Sequence, residues 1–212
     1  MKKKVSPRKS PQQSRSKERY QKILDTAFDL LSEFGYDALT TDLIAERSGI
    51  SVGSIYQFFP NKEAIVYTHA ETCYLNLHDH FFGLIREEMK TRKKFDSKLI
   101  DVTLNAFART LEEVKGYHLV ESILYTHPEL LLLDQKSNER FANSLAKILF
   151  LPLFPNLSKE RATHVALITV ETVDSIFKSI YREPGRSKQK EKKIVDELKL
   201  FLLAYFEKLS KN

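Results

Sequence analysis

Apolar residues recur three and four positions apart along nearly the whole sequence, and no sustained apolar–polar alternation sets in. A repeat near 3.6 buries one stripe of a helix, whereas a half-buried strand needs a repeat of two. The sequence therefore predicts an all-α chain. Only six glycines and seven prolines interrupt its 212 residues, mostly at the ends of periodic runs. These breaks mark about nine helices. The first runs from about Lys17 to Phe34, stops at Gly35, and turns Ile23, Ala27, Leu30, Leu31 and Phe34 toward a small core. Two short helices flank Gly49. A long fourth starts at Pro60-Asn61, with Asn61 as cap, and reaches about Lys90. Helices follow over Asp96 to Lys115, Tyr117 to Tyr125, and from Thr126-His127-Pro128-Glu129, which has capping-box spacing, to Phe150. Pro152 and Pro155 end that one. Ser158 caps a helix to Arg182, Pro184-Gly185 closes it, and the last runs from about Lys190 to Ser210.

The segment from Thr40 to Glu63 carries the most chemistry. Thr41 is read as an N-cap, its hydroxyl accepting from an early helical N–H, with Leu43, Ile44 and Ala45 facing inward to about Ser48. Gly49 takes a turn that requires a positive φ. Ser51 caps the next helix, whose Ile55 and Phe59 share one face, leaving Val52, Gly53, Ser54, Tyr56, Gln57 and Phe58 pointing partly outward. An aromatic-rich, uncharged outer face suits a helix that lies in the DNA major groove. Two helices joined by a glycine turn thus read as a helix-turn-helix.

The run Ile23, Ala27, Phe28, Leu31, Phe34, Gly35, Tyr36, then Thr40-Thr41, Ile44-Ala45, Gly49-Ile50-Ser51, Gly53-Ser54-Ile55-Tyr56, Phe59 and Lys62-Glu63 resembles the TetR family of bacterial transcriptional regulators. The likeness covers about Lys17 to Val66. Phe58 is a departure, standing where a His or another polar residue is common. The expected division is a basic flexible arm over 1–16, read from its charge and composition, followed by what the resemblance implies: a three-helix DNA-binding domain over 17–63 and a helical ligand-binding and dimerisation domain over 64–212. By position and by resemblance, Thr41, Ser51, Val52, Gly53, Ser54, Tyr56, Gln57 and Lys62 are the expected DNA-binding residues. Thr41, Ser51, Tyr56 and Lys62 suit phosphates, Gln57 suits adenine and Val52 a thymine methyl, and Gly53 permits close approach.

Charge supports that partner. Residues 1 to 22 hold nine Lys or Arg against Glu18 alone, a local +8 in a chain of net +6, so the remainder carries −2. Such a Lys-, Pro- and Ser-containing tail cannot bury enough apolar surface to order itself up to about Ser14. Next to a DNA-reading segment it points to phosphate or minor-groove contact. The basic loop Lys90-Thr91-Arg92-Lys93-Lys94 reads as a solvated turn.

The last two helices are apolar on more than one face. Val165, Ile168, Ile176 and Ile180 oppose Val170, Val173, Phe177 and Tyr181, while Ile194, Leu198, Phe201, Leu202, Tyr205 and Leu209 are broadened by Leu203 and Phe206. A second surface must cover them, and a homodimer built on a four-helix bundle supplies it. The resemblance also implies a small-molecule effector, with Phe107, Tyr117, His118, Tyr125, Phe141, Thr169 and Glu171 as candidate lining. Glu171 stands out because a carboxylate buried in an apolar stretch needs a partner.

Other chemistries have little to stand on. Lone Cys73 excludes an intrachain disulfide framework and a multi-cysteine zinc site, and is read as a core residue. The six histidines form no metal motif, and no phosphate loop or nucleophile elbow occurs. No cofactor, metal or catalytic residue is expected. No run approaches the ~20 apolar residues that span a bilayer, and no secretory signal is evident, so a cytoplasmic protein is expected. The reading is a repressor released from a near-palindromic operator by a small molecule; the alternative is a DNA-binding adaptor governed by a protein partner.

Overall fold

Local capping decides most helix boundaries. The computed structural model describes residues 5–8, 11–92, 95–182, 185 and 187–210, which leaves Lys2 to Lys4, Lys9, Lys93, Lys94 and Pro184 outside the described residues. Among the described residues there are ten α-helices: α1 (Ser14–Ala38), α2 (Thr41–Ser48), α3 (Val52–Phe58), α4 (Lys62–Met89), α5 (Ser97–Glu113), α6 (Tyr117–Ile123), α7 (Pro128–Leu145), α8 (Leu151–Leu153), α9 (Lys159–Arg182) and α10 (Lys188–Ser210). The all-α expectation holds. Asn61 Oδ1 accepts from the Ala64 N–H at 2.8 Å to start α4, Asp96 Oδ1 from Leu99 at 2.9 Å to start α5, and Ser158 Oγ from Arg161 at 3.2 Å to start α9. Each cap satisfies a donor that the first helical turn leaves free.

Three local expectations are corrected. Thr40, not Thr41, caps α2, its hydroxyl accepting from Leu43 N–H at 3.1 Å. The Thr126 hydroxyl turns back to the Ile123 carbonyl at 2.9 Å instead of capping α7, because a 3-10 turn over Leu124–Thr126 intervenes. The helix expected to continue to Phe150 ends at Leu145 and passes through a π-helical turn, Ala146–Phe150, into α8. Pro152 offers no N–H to the carbonyl four residues back and crowds it, so the regular ladder cannot run through this stretch.

The residues pack into two compact units. One holds the chain up to Tyr74 together with Gly116–Leu133; the other holds Leu75–Lys115 and the chain from Asp134 onward. A boundary at 63/64 follows the motif, whereas compact packing runs on to Tyr74 and takes in α6. In the first unit, Ile23, Leu30, Leu39, Ile44, Ile55, Phe59 and Ile65 are fully buried. Truncating one such Ile to Ala costs ~2–5 kcal/mol through lost transfer energy and the cavity left behind. Phe34 departs from its expected place: it is 54% exposed. Gly35, at φ 78 and ψ 175, breaks α1 directly after it, so the chain turns away and leaves that ring more than half exposed.

The second unit is organised by phenylalanines. Phe141 lies 4.9 Å from Phe81 and 4.8 Å from Phe82, Phe107 lies 5.3 Å from Phe177, and Phe150 lies 5.3 Å from Phe206, centroid to centroid. Lys178, 5% exposed, sits between Asp134 and Asp174, with 2.7 Å from Nζ to each carboxylate. It ties α7 to α9. Burial raises the Asp174 carboxyl above its ordinary range against the pull of Lys178.

Candidate nucleic-acid interface and interior cavity

α2 and α3 are held as a rigid pair from the residues upward. Gly49 adopts φ 68 and ψ 20, the left-handed conformation that the turn requires, and its N–H closes on the Ala45 carbonyl at 2.9 Å. Ser51 Oγ accepts from Ser54 N–H at 3.3 Å and pairs with the Ser54 hydroxyl at 2.8 Å. Across the turn, Thr41 Oγ1 and the Tyr56 hydroxyl lie 3.2 Å apart. Arg47 forks onto Glu33 at 3.0 and 3.1 Å, anchoring α2 to α1 and holding the Glu33 carboxyl below its usual range.

The surface of α3 separates cleanly. Ile55, Phe58 and the following Phe59 are buried, while Ser51, Gly53, Tyr56 and Gln57 are exposed and Val52 and Ser54 half-exposed. Phe58 was expected outward and is not, since neighbours on a helix lie three as well as four apart, which puts Phe58 beside Ile55. Its ring meets Tyr20 edge-on at 5.6 Å, and Tyr20 stacks on Phe59 at 4.7 Å. The outer face that remains is uncharged, with hydroxyl, amide and methyl groups suited to base edges and phosphates. A Cβ built on Gly53 would meet nothing within 4 Å. No neighbour inside the protein asks for glycine there.

Lys62 stands apart from that face. Its ammonium donates to the Tyr36 carbonyl at 2.9 Å, approaches the Asp37 carbonyl at 3.5 Å, and lies 4.5 Å from the centre of the Tyr36 ring. It neutralises the carbonyl end of α1, where cations are favoured. Tyr36 also meets His127 at 3.9 Å, and burial pushes its phenol upward.

In the second unit an apolar cavity of about 70 Å³ is lined by fourteen residues, among them Phe81, Phe107, Phe141, Phe150, Val173 and Phe206. Its two polar side chains already donate to backbone: Thr103 Oγ1 to Leu99 at 2.9 Å and Ile100 at 3.0 Å, Thr169 Oγ1 to Val165 at 2.7 Å. Of the candidate lining residues, the cavity brings together Phe107, Phe141 and Thr169. Tyr117, His118 and Tyr125 belong to the other unit, the first buried and the other two exposed. Glu171 is exposed, since Val170, Val173 and Phe177 take the inner face of α9. It meets Asn138 at 3.4 Å. Leu145, Leu149 and Phe150 were missed because they sit on the unexpected π turn and the residue before it.

His78 bridges the Ser144 hydroxyl at 2.8 Å and Asp79 at 3.0 Å, an order that acyl-transfer sites share. Ser144 lies inside α7, where backbone N–H groups are engaged in the helix's own ladder. None is free to hold an oxyanion, so the bridge fastens α4 to α7. Among the described residues no three His, Cys, Asp or Glu side chains gather as a metal site, and no helix is long and apolar enough to cross a membrane.

Comparison with known proteins agrees with this geometry. Residues 23–67 match the model of the bacterial regulatory proteins of the tetR family. The HTH-type transcriptional regulator YdeS of Bacillus subtilis is 50% identical over 44 residues, 21% of this chain and 22% of its own length. The biofilm operon icaADBC negative regulator IcaR of Staphylococcus epidermidis is 32% identical over 122 residues, 52% of this chain and 66% of its own. The chain thus matches about a fifth of one relative and just under two thirds of the other. A TetR-family regulator from Streptomyces coelicolor shares the fold over 90% of this chain and 99% of its own, at 26% identity and a TM-score of 0.54. Reader, helical body and likenesses together support a bacterial transcriptional regulator of the TetR type.

Proposed function

We propose that the protein is a homodimeric repressor that holds a near-palindromic operator through α3 and lets go when a small uncharged apolar molecule enlarges the cavity of the second unit. The observation that carries the reading is the divided surface of α3: Ile55 and Phe58 anchor it while Val52, Gly53, Ser54, Tyr56 and Gln57 face outward without a charge among them. Val52, Gln57 and the Gly53 backbone meet bases. The Tyr56 hydroxyl, held by buried Thr41, and Ser51 meet phosphates, and Lys62 serves the frame first and a phosphate second. Two copies place two readers ~34–36 Å apart, or a multiple, along one face of the duplex.

The dimer face is the outer side of α9 and α10. Ile168, Leu200 and Phe201 are 56%, 61% and 56% exposed, and a notch of about 120 Å³ opens beside Thr172, Phe201 and Tyr205. Apolar surface of that extent on a helix pair calls for a second copy. Repression follows the negative regulator among the relatives.

The cavity limits the effector. Its lining holds no charged side chain, so a carboxylate or ammonium inside it would stand uncompensated. Filling about 70 Å³ gains at most ~1.7 kcal/mol at 24 cal/mol per Å³. Moving an occupancy from 1:99 to 99:1 needs ~5.5 kcal/mol. The missing ~3.8 kcal/mol corresponds to ~150 Å² of further apolar burial, about one aromatic ring, so the effector must widen the cavity. Selection of bound duplexes from genomic fragments tests the reading. A short near-palindrome bound by a dimer is expected, with Gln57→Ala relaxing base preference at one position by ~1–3 kcal/mol. Equal weakening on all duplexes would remove Gln57 from the base-reading set. Specific DNA binding without any apolar ligand that shifts the melting temperature would favour the protein-partner alternative.

A further inference from the structure

The chain ahead of α1 is fastened to the far end of the reader. The Arg8 N–H donates to the Phe58 carbonyl at 2.7 Å. Phe58 is the last residue of α3, so this bond satisfies one of the carbonyls that a helix end leaves without partners. Along residues 5–8 exposure alternates: Val5 and Pro7 are half-buried, Ser6 and Arg8 exposed. The segment thus lies with one side against the protein and bends at Ser6 and Arg8. α3 has no charged residue of its own and no basic residue in its last turn. The backbone bond thus brings an arginine to the end of a helix that has no charged residue of its own.

We propose that Val5–Arg8 is a fixed arm that carries Arg8 into the minor groove flanking each half-site, and that it reads A·T pairs there. The inference rests on the reading of α3 as the helix in the major groove. From a helix in the major groove the neighbouring minor groove lies about half a turn away, ~17 Å along the axis. A narrow A·T-rich minor groove concentrates negative potential and favours Arg, and the guanine N2 amino group obstructs its floor. The arm's charge thus acquires a position and a sequence preference from one backbone bond.

The test measures affinity of the full chain for its selected site with A·T, G·C or inosine·C pairs in the flanks, since inosine·C lacks the minor-groove amino group but keeps the G·C major-groove face. The expected result is about five- to tenfold tighter binding to A·T and inosine·C flanks than to G·C. Arg8→Ala should bring all three to the G·C level while half-site base preference stays unchanged. Pro7→Gly, which keeps the charge but frees the segment, should reduce the flank preference. Inosine·C flanks behaving like G·C, an Arg8→Ala loss equal on every flank, or no loss at all would each overturn the arm while leaving the α3 reading intact. A wild-type chain that selects no site would overturn both.

Discussion

Gly53→Ala should move stability and DNA affinity in opposite directions. Gly53 occupies the second position of α3, and an added Cβ finds nothing within 4 Å. Its φ is not among the positive values, which belong to Gly35, Gly49, Gly116 and Gly185. Alanine therefore fits without strain and removes backbone freedom from the unfolded chain, a gain of ~0.5–1 kcal/mol, toward the lower end so near a helix start. For a chain of this size that is ~1–4 °C in melting temperature. With α3 in the major groove as proposed, the same methyl would project where its backbone meets base edges, and losing one close contact there should cost ~1–3 kcal/mol, about 5- to 150-fold in affinity. Thermal unfolding and fluorescence anisotropy on the selected operator, run on the same preparations, read both terms. A more stable variant that binds the operator as tightly as the parent would refute the placement of the α3 start in the groove. A less stable one would refute the open space at Gly53.

Val173→Leu adds one methylene to the cavity wall and should raise stability by up to ~0.8 kcal/mol while blunting the melting shift that an apolar ligand produces; a loss of ~1–3 kcal/mol instead would indicate a wall with no room. Lys178→Met leaves Asp134 and Asp174 buried together and should lower the urea-unfolding free energy by ~3–5 kcal/mol, with Asp174→Asn far milder because burial already favours its protonated form. Burial pushes the Cys73 thiol up to about 12, so the folded protein should resist alkylation at pH 8 and react once unfolded. The sign follows from a raised folded value: the stabilisation is complete below the ordinary thiol range and is lost as pH rises toward about 12. Unfolding measured from pH 8 to 11 should fall more steeply for the parent than for Cys73→Ala, and parallel slopes would contradict the burial argument.

Most of the reader was legible in the residues. Gly49 at a positive φ, Ser51 as a cap, and Ile44 and Ile55 as inner anchors are local or nearly local matters, fixed by backbone sterics, orphan donors and the 3.6-residue repeat. Errors of one residue arose where two neighbours had the same chemistry, as with Thr40 and Thr41. Phe58 and Phe34 went the other way round because periodicity names a stripe but not its edges. Which edge residue is covered depends on what another element brings there: Tyr20 meets Phe58, whereas Phe34 stays more than half exposed.

By itself, then, the sequence determined helices, caps, the glycine turn and the charge of the arm, all governed by interactions within a few residues. Only the tertiary structure decided the cavity, its apolar lining and its exclusion of Tyr117, His118, Tyr125 and Glu171. It also decided that Lys62 caps α1, and that Arg8 meets the carbonyl of Phe58 fifty residues on. Such contacts join positions far apart in the chain, and a hydrogen-bond donor or an aromatic ring carries no mark in the sequence of the partner it will find.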